Sequence, residues 1–269
     1  MTVQDRSGTL RQEQTGTQSI RRTFAILRVL AGGAPDGDKL VEIAQAAGLS
    51  HPTAHRILKA LEHEGVVERS RGSSRYRLAV EAAWLGVAPF NRCPITRFAG
   101  PSLDLLARET GACVVLSVPS HHDAVYVDLR AGPAGRAQTT GVAIGGRTPL
   151  GVTIGGRGML AFLGEDRIHA LLIANAERFR VWHCDEVRIR ADIATARDQG
   201  WLAGDSPAVP GRTEIAMPVR DIVGRAIGAI SLLSPPSGMD TARVSQVLPL
   251  LRTAAQTVRE ALHRQNRLS

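Results

Sequence analysis

The chain has 269 residues, a length that suits one large domain or two domains of moderate size. Hydrophobic residues make up 43% of it and charged residues 22%, ordinary values for a globular protein that exclude a chain disordered throughout. The net charge of +8 at pH 7 favours a polyanionic partner such as nucleic acid, although the predominance of arginine over lysine allows a purely compositional origin.

The chain carries no sequence signal for a membrane or for secretion. No apolar run approaches the roughly 18 to 20 residues that span a bilayer, and residues 1–17 lack the apolar centre of a secretory signal. We therefore expect a cytoplasmic protein with a disordered tail over residues 1–17. Cys93, Cys113 and Cys184 stand far apart without CxxC spacing, which predicts reduced thiols.

The first elements along the chain predict a DNA-binding domain. Apolar residues recur at helical spacing over residues 19–31 and again over residues 40–47, and glycines end both patterns. After a tight turn at Gly48, Ser50 is the expected N-cap of a third helix, where its hydroxyl would accept a backbone N–H. The runs GVVER and RYRLAV then predict a hairpin. This order of elements predicts a winged helix-turn-helix domain over residues 18–79.

The third helix would bury one apolar stripe and leave a polar, basic side free for the major groove. Arg56 suits a bidentate contact to guanine, and arginines of the hairpin suit a phosphate backbone or a minor groove. A solvated helix face and a soluble hairpin tip are the alternatives. The residues predicted to contact double-stranded DNA are Ser50, His51, Thr53, His55, Arg56, Lys59, Arg69, Arg71 and Arg75.

The rest of the chain has a different pattern. The run AVEAAWLGVAPF predicts a linker helix within residues 80–93. Over residues 94–269, helices mix with the strands ACVVLSVP, AVYVDLR, RTEIAMPV and RAIGAISLLS without regular βαβ alternation, which predicts an α+β domain on an antiparallel sheet. Asp240 is the expected N-cap of a long last helix. The fold class is therefore mixed, an all-α winged helix-turn-helix domain followed by an α+β domain.

The segment GGRTPLGVTIGGRG is glycine-rich and opens a helix, where free backbone N–H groups and the helix dipole favour an anion. Close packing of the loop on the sheet explains the same glycines equally well. Arg147 and Arg157 are cations near this segment, and simple solvent exposure is the alternative for both. Glu214 alternates with Ile215 and Met217 along a predicted strand, and an ion pair with an arginine is its expected role.

No catalytic or metal-binding pattern emerges from the sequence. The runs SHHD and WHCD place potential ligands on adjacent residues that point in different directions, so surface turns are expected. We therefore expect no enzyme, no metal and no cofactor. An enzyme of small-molecule metabolism with an appended helical module is the alternative, together with a nonspecific architectural DNA binder.

The order of elements and four stretches of sequence resemble the IclR family of bacterial transcriptional regulators, from about residue 19 to residue 262. The stretches are LSHPTAHRILKALEHEGVVERS, RYRLAV, RTPLGVTIGGRGMLAFL and VPGRTEIAMPVRD. The resemblance implies a dimerising winged helix and a GAF-like domain that binds a small organic effector, commonly a carboxylate or an aromatic acid. It implies a regulator, such as a repressor, that acts as a homodimer or a dimer of dimers.

Carried over by position, the effector pocket lies between the glycine-rich loop and the late strands. The chain departs from the common family pattern, since Gly151 and Val152 stand where many members have His and Cys or Ser, and Glu214 stands where many have Cys. If Glu214 lines the pocket, an effector with hydroxyl or amine donors is expected. The residues predicted to line the pocket are Gly151, Val152, Thr153, Asp205, Val209, Glu214 and Ser231.

Overall fold

The protein divides into two compact units, Met1–Pro89 and Phe90–Ser269. The structure is a computed structural model, which describes residues 7–70, 72–92, 94–132, 142–235 and 240–268. The division falls within the predicted linker helix. Arg71, predicted to contact DNA, and Cys93 lie outside the described residues. In the described parts of the chain, no helix is long and apolar enough to cross a membrane.

The first unit has the elements of a winged helix-turn-helix, as the sequence predicts. Its three-stranded antiparallel sheet has the order β1-β3-β2. The elements are α1 (Ser7–Ala31), β1 (Asp38–Lys39), α2 (Leu40–Ala46), α3 (His51–His63), β2 (Val67–Arg69) and β3 (Arg75–Leu78), after which α4 (Val80–Arg92) begins.

Helix α1 is longer than the sequence predicts. It begins at Ser7, so residues 7–17 are helical where a disordered tail is expected. The segment contains Gln, Glu, Arg and Leu, which are good helix formers, and each residue added to an existing helix gains a hydrogen bond without a new nucleation cost. The helix thus extends through part of the predicted tail.

A Schellman motif sets the turn between α2 and α3. Gly48 adopts a φ of 65°, its N–H donates to the Gln45 carbonyl at 3.1 Å, and the N–H of Leu49 donates to the Ala44 carbonyl at 2.9 Å. Helix α3 then buries Ala54 and Leu58, among others, against α1, α2 and the sheet. The predicted apolar stripe thus anchors α3 and turns its polar side outward.

The second unit is an α+β domain on one antiparallel sheet, which confirms the predicted class. The sheet has six strands in the order β6-β5-β4-β9-β8-β7. The elements are α5 (Pro94–Thr110), β4 (Cys113–Ser120), β5 (Asp123–Ala131), β6 (Arg147–Pro149), α6 (Ile154–Leu160), α7 (Glu165–Val181), α8 (Glu186–Gln199), β7 (Leu202–Asp205), β8 (Thr213–Arg220), β9 (Ala226–Ser234) and α9 (Thr241–Leu268). Asp240 caps α9 as predicted, since its Oδ1 accepts the N–H of Arg243 at 2.7 Å.

Apolar layers cover both faces of this sheet. Helices α5 and α9 pack on one face, on side chains such as Leu116 and Ile230. Helices α6, α7 and α8 form a second core that includes Ala216 and Ala229. Burial on both faces explains why β8 and β9 are buried at nearly every position. It also sets α6 directly against β8 and β9.

Candidate nucleic-acid interface and internal cavity

The start of α3 is capped differently from the prediction. Ser50 precedes the helix with an extended backbone, but its hydroxyl makes no capping bond to a backbone N–H. Instead it lies 2.9 Å from the hydroxyl of Thr53. The two hydroxyls satisfy each other, and Pro52 needs no partner because it lacks an N–H. Both predicted DNA-contacting hydroxyls therefore lie together at the N-terminus of α3.

The polar side of α3 is exposed. His51, His55, Arg56 and Lys59 all face solvent. Lys59 lies 3.3 Å from Glu62 on the same helix, whereas Arg56 makes no hydrogen bond or ion pair with any residue that the structure describes. All the donors of the Arg56 guanidinium are therefore free for an external partner.

The arginines of the wing, formed by β2, β3 and their turn, are held by the fold. The Arg69 guanidinium donates to the hydroxyl of Tyr76 and lies 4.8 Å from the centre of that ring. Arg75 donates through Nη1 to the carbonyl of Gly37 at 2.8 Å. Both side chains thus have a structural role that the sequence did not indicate.

A hollow joins α3 and the wing. Its lining combines two predicted side chains of α3 with one of the wing, and it includes no acidic residue. The lining residues are Leu40, His51, Pro52, His55, Arg69, Ser74 and Tyr76. The fold thus brings predicted DNA-contacting residues from two separate stretches of sequence onto one concave, basic surface.

The second unit contains a narrow internal cavity between the sheet and α6, with a free volume of about 10 Å³. Its walls are the inward side chains of strands, closed by the loop that precedes α6. The lining residues are Val115, Ser117, Tyr126, Thr153, Ser206, Val209, Glu214, Ser231 and Leu233. Four of the predicted pocket residues therefore line this cavity, namely Thr153, Val209, Glu214 and Ser231.

Three predicted pocket residues do not line the cavity. Gly151 lies on the other side of α6, where an added Cβ would meet the Phe179 ring at 3.1 Å. Val152 is fully buried in the core formed with α7 and α8. Asp205 is exposed at the end of β7. Successive residues of a turn and of a strand point in different directions, which separates these three residues from the four that line the cavity.

The lining residues that the sequence analysis missed follow from strand register. Val115 pairs with Ser231 across β4 and β9, and Glu214 pairs with Leu233 across β8 and β9. Ser117 is two residues from Val115 and therefore points to the same face. Period-two alternation was visible in the sequence, but the register between distant strands was not.

The Glu214 carboxylate caps α6. Its Oε1 accepts the N–H of Gly155 at 2.9 Å, and its Oε2 accepts the N–H of Ile154 at 3.2 Å and the hydroxyl of Ser206 at 3.3 Å. The expected ion pair with an arginine is not formed within the described residues. The helix N-terminus provides the compensating positive potential instead. The anion favoured by the glycine-rich segment is thus a side chain of the protein itself.

The two cations near this segment point away from the cavity. Arg157 is buried, with Nη1 2.6 Å from Asp192 and Nε donating to the Gly151 carbonyl at 2.8 Å. Arg147 forms a more exposed pair with Asp123 at 3.0 Å. Arg157 therefore holds the loop before α6 in place, and neither cation lines the cavity.

Burial raises the pKa of two side chains near the cavity. Burial and the neighbouring Glu214 carboxylate raise the pKa of the Tyr126 hydroxyl, so Tyr126 stays neutral and can donate a hydrogen bond. Burial also raises the pKa of the Cys113 thiol to about 11, which keeps it protonated. Cys113 and Cys184 are free thiols. In the described portion of the chain, no group of three His, Cys, Asp or Glu side chains could hold a metal ion.

Comparison with known proteins gives concordant matches for both units. Residues 19–71 match the family model of the IclR helix-turn-helix domain, and residues 88–260 match that of the bacterial transcriptional regulator IclR C-terminal domain. The glycerol operon regulatory protein of Streptomyces griseus is 30% identical over 253 residues, which cover 90% of this chain and 94% of that protein.

Two solved structures share the fold. The IclR transcriptional regulator from Alicyclobacillus acidocaldarius has a TM-score of 0.73 at 22% identity and covers 91% of this chain and 98% of its own. An IclR homologue from Microbacterium hydrocarbonoxydans, complexed with 4-hydroxybenzoate, has a TM-score of 0.72 at 19% identity and covers 91% and 99%. Each of these two structures therefore contains both folds, that of the first unit and that of the second, in one chain.

Proposed function

The chain belongs to the IclR family of bacterial transcriptional regulators, and we propose that it recognises a specific DNA operator under the control of a small organic effector. A member of this family is a regulator of transcription and not an enzyme. The observation that carries the proposal is the exposed polar side of α3, on which Arg56 has no partner among the described residues.

Sequence readout is assigned to α3 and positioning to the wing. Arg56 suits the two acceptors of a guanine because its guanidinium is a planar fork of free donors. His51, Lys59 and the paired hydroxyls of Ser50 and Thr53 suit phosphates or base edges near the start of the helix. Arg69 and Arg75 already have hydrogen-bond partners within the protein. Because these partners hold the two guanidinium groups in place, we assign them to the phosphate backbone of the DNA and not to its bases.

Two copies of the chain would act together. Helix α1 exposes Ile20 and Phe24 one turn apart, and α4 exposes Val80, Trp84 and Leu85, with Trp84 83% exposed. Large apolar side chains exposed on a helix indicate an interaction site, and a two-fold symmetric contact is the commonest arrangement. We assign the exposed apolar residues of both helices to homodimer contacts, which would set the spacing of two α3 helices on an operator. Two such dimers could assemble further into a dimer of dimers.

The effector is assigned to the internal cavity of the second unit. The cavity combines apolar walls with convergent hydroxyls and one carboxylate, a composition typical of small-ligand sites. The bound 4-hydroxybenzoate of the Microbacterium homologue supports a small organic molecule. Regulation requires that the effector bind two arrangements of the dimer unequally, and α4, which crosses the division between the units, is the proposed link. Such a regulator would act in the cytoplasm.

Selection of bound fragments from chromosomal DNA, followed by footprinting with the full-length protein, tests the proposal. The expected result is a protected site with two related half-sites, whose occupancy changes with a small molecule. Binding that depends on salt alone, with no sequence preference, would indicate an architectural DNA binder instead. Turnover of a candidate ligand would indicate the enzyme alternative.

A further inference from the structure

We propose that the internal cavity takes a small neutral or cationic ligand that presents hydroxyl or ammonium donors to Glu214, and that it disfavours carboxylates. The inference rests on the proposed function, because this cavity is the one assigned to the effector. The family resemblance implies a carboxylate or an aromatic acid as effector. The proposed ligand instead is uncharged or positively charged and donates hydrogen bonds.

Glu214 already occupies the position that a ligand carboxylate would take. The N–H groups of Ile154, Gly155 and Gly156 have no carbonyl partner within α6. The first two donate to the Glu214 carboxylate, and the third donates to the Thr153 hydroxyl. The Ser206 hydroxyl also donates to the Glu214 carboxylate. Since each backbone N–H supplies one proton, an incoming anion would have to displace Glu214 to gain these bonds.

The charge of the lining also opposes an anion. Of the nine residues that line the cavity, Glu214 alone carries a charge, and none is Arg, Lys or His. Arg157, a cation close in sequence, is committed to Asp192 and to the Gly151 carbonyl. A second carboxylate would therefore meet like charge in a poorly solvated site without a countercharge, whereas an ammonium group would be attracted.

The remaining lining groups suit donors. Glu214 is only 4% exposed and accepts three hydrogen bonds, which leaves acceptor capacity on a carboxylate that has about four lone-pair positions. The hydroxyls of Ser117, Tyr126 and Ser231 can each donate or accept. Tyr126 stays protonated because burial and the Glu214 charge raise its pKa. The Glu214 carboxylate and these hydroxyls can therefore accept hydrogen bonds from an alcohol or from an amine.

The apolar walls limit the ligand's size and skeleton. Val115, Val209 and Leu233 face the cavity beside the polar groups, so one side of the ligand is hydrocarbon. The free volume of the cavity is about 10 Å³, room for about one water molecule, so a larger ligand requires the lining side chains to move outward. We therefore expect only small skeletons that bear a hydroxyl or amino group to be accommodated, and only with movement of the lining.

Calorimetry with the full chain and matched probes tests the inference. Each series shares one carbon skeleton: glycerate, glycerol and aminopropanediol; butanoate, butanol and butylamine; benzoate, benzyl alcohol and benzylamine. In at least one series the alcohol or the amine should bind about tenfold or more tightly than its carboxylate. Glu214→Gln, which is isosteric and uncharged, should reduce that ratio by about tenfold. Glu177→Gln, the same change on an exposed carboxylate of α7, should leave it unaltered.

Either of two results with the unsubstituted protein would overturn the inference. One is a carboxylate that binds the unsubstituted protein more tightly than its alcohol and amine, which would leave operator binding and effector control in place. The other is the absence of binding by every probe, in which case operator footprinting still decides the proposed function separately. Should Glu214→Gln fail to fold by circular dichroism, Tyr126→Phe replaces it and should weaken alcohol or amine binding. Unchanged affinity in Tyr126→Phe would place the ligand elsewhere and also overturn the inference.

Discussion

The carboxylate of Glu214 and the backbone N–H of Gly155 are 59 residues apart in the sequence and form a hydrogen bond of 2.9 Å in the buried interior of the second unit. This bond joins the start of α6 to strand β8. Both readings of the glycine-rich segment therefore hold together, because an anion occupies the helix N-terminus and the loop also packs closely on the sheet.

Gly155→Ala should destabilise the second unit. An added Cβ at this position would lie 2.7 Å from the Ser231 hydroxyl oxygen and 3.3 Å from Glu214 Oε1, so α6 would have to move from the sheet. We expect a loss of about 1 to 3 kcal/mol in the free energy of unfolding, measured by urea denaturation. Gly158→Ala, in the same helix, meets only Pro218 Cδ at 3.5 Å and should be neutral or slightly stabilising. Equal effects of the two changes would contradict this account.

Arg56→Ala should weaken specific operator binding. The guanidinium is exposed on α3 and has no partner among the described residues, so its loss should leave folding and oligomeric state intact. Loss of a bidentate base contact should cost about 1 to 3 kcal/mol of specific binding, measured by fluorescence anisotropy on the footprinted site. Arg180→Ala removes the same charge from an exposed position on α7 and is the matched control. An unchanged footprint with Arg56→Ala would refute the assignment of α3.

Tyr76→Phe should loosen the wing rather than the recognition helix. It removes the hydroxyl that accepts from Arg69 while keeping the ring beneath the guanidinium. Because Tyr76 is almost fully buried, the free energy of unfolding should fall by roughly 0.5 to 1.5 kcal/mol. Operator affinity should fall less than in Arg56→Ala, since Arg69 contributes only a backbone contact in the proposal. A larger affinity loss in Tyr76→Phe would assign sequence readout to the wing.

Local patterns predicted the first unit well because the interactions that define it are local. The apolar stripe of α3, the Schellman turn at Gly48 and the hairpin each arise within a few residues of sequence. The short strands β1, β6 and β7 escaped prediction because, unlike β2 and β3, they do not lie within longer runs of strand-forming residues. In the cavity, alternation indicated which way Glu214 points, but its N–H partners depend on contacts about 60 residues away.

Trp84→Asp should weaken self-association. Trp84 is 83% exposed on α4, which is an unfavourable position for the largest apolar side chain unless a partner covers it. A charge at that position would be desolvated in the proposed dimer, so the fraction of dimer at micromolar concentration should fall in sedimentation velocity experiments. Val187→Asp, on α8 of the second unit, replaces another exposed apolar residue and serves as the comparison. The same sedimentation profile for Trp84→Asp and the unsubstituted protein would rule out α4 as the dimer contact.

The buried ion pair of Arg157 and Asp192 should stabilise the loop before α6. Arg157→Met leaves Asp192 buried with only its contact of 3.1 Å to Arg188, and it frees the Gly151 carbonyl. Breaking one side of a buried pair costs about 3 to 5 kcal/mol, whereas replacing both partners with apolar residues is often close to neutral. Arg157→Met combined with Asp192→Leu should therefore recover much of the loss in urea denaturation. Arg188→Met, which removes an exposed cation from the same carboxylate, should cost far less. Additive losses in the double variant would mean that Arg157 acts through its carbonyl contacts and not through the ion pair.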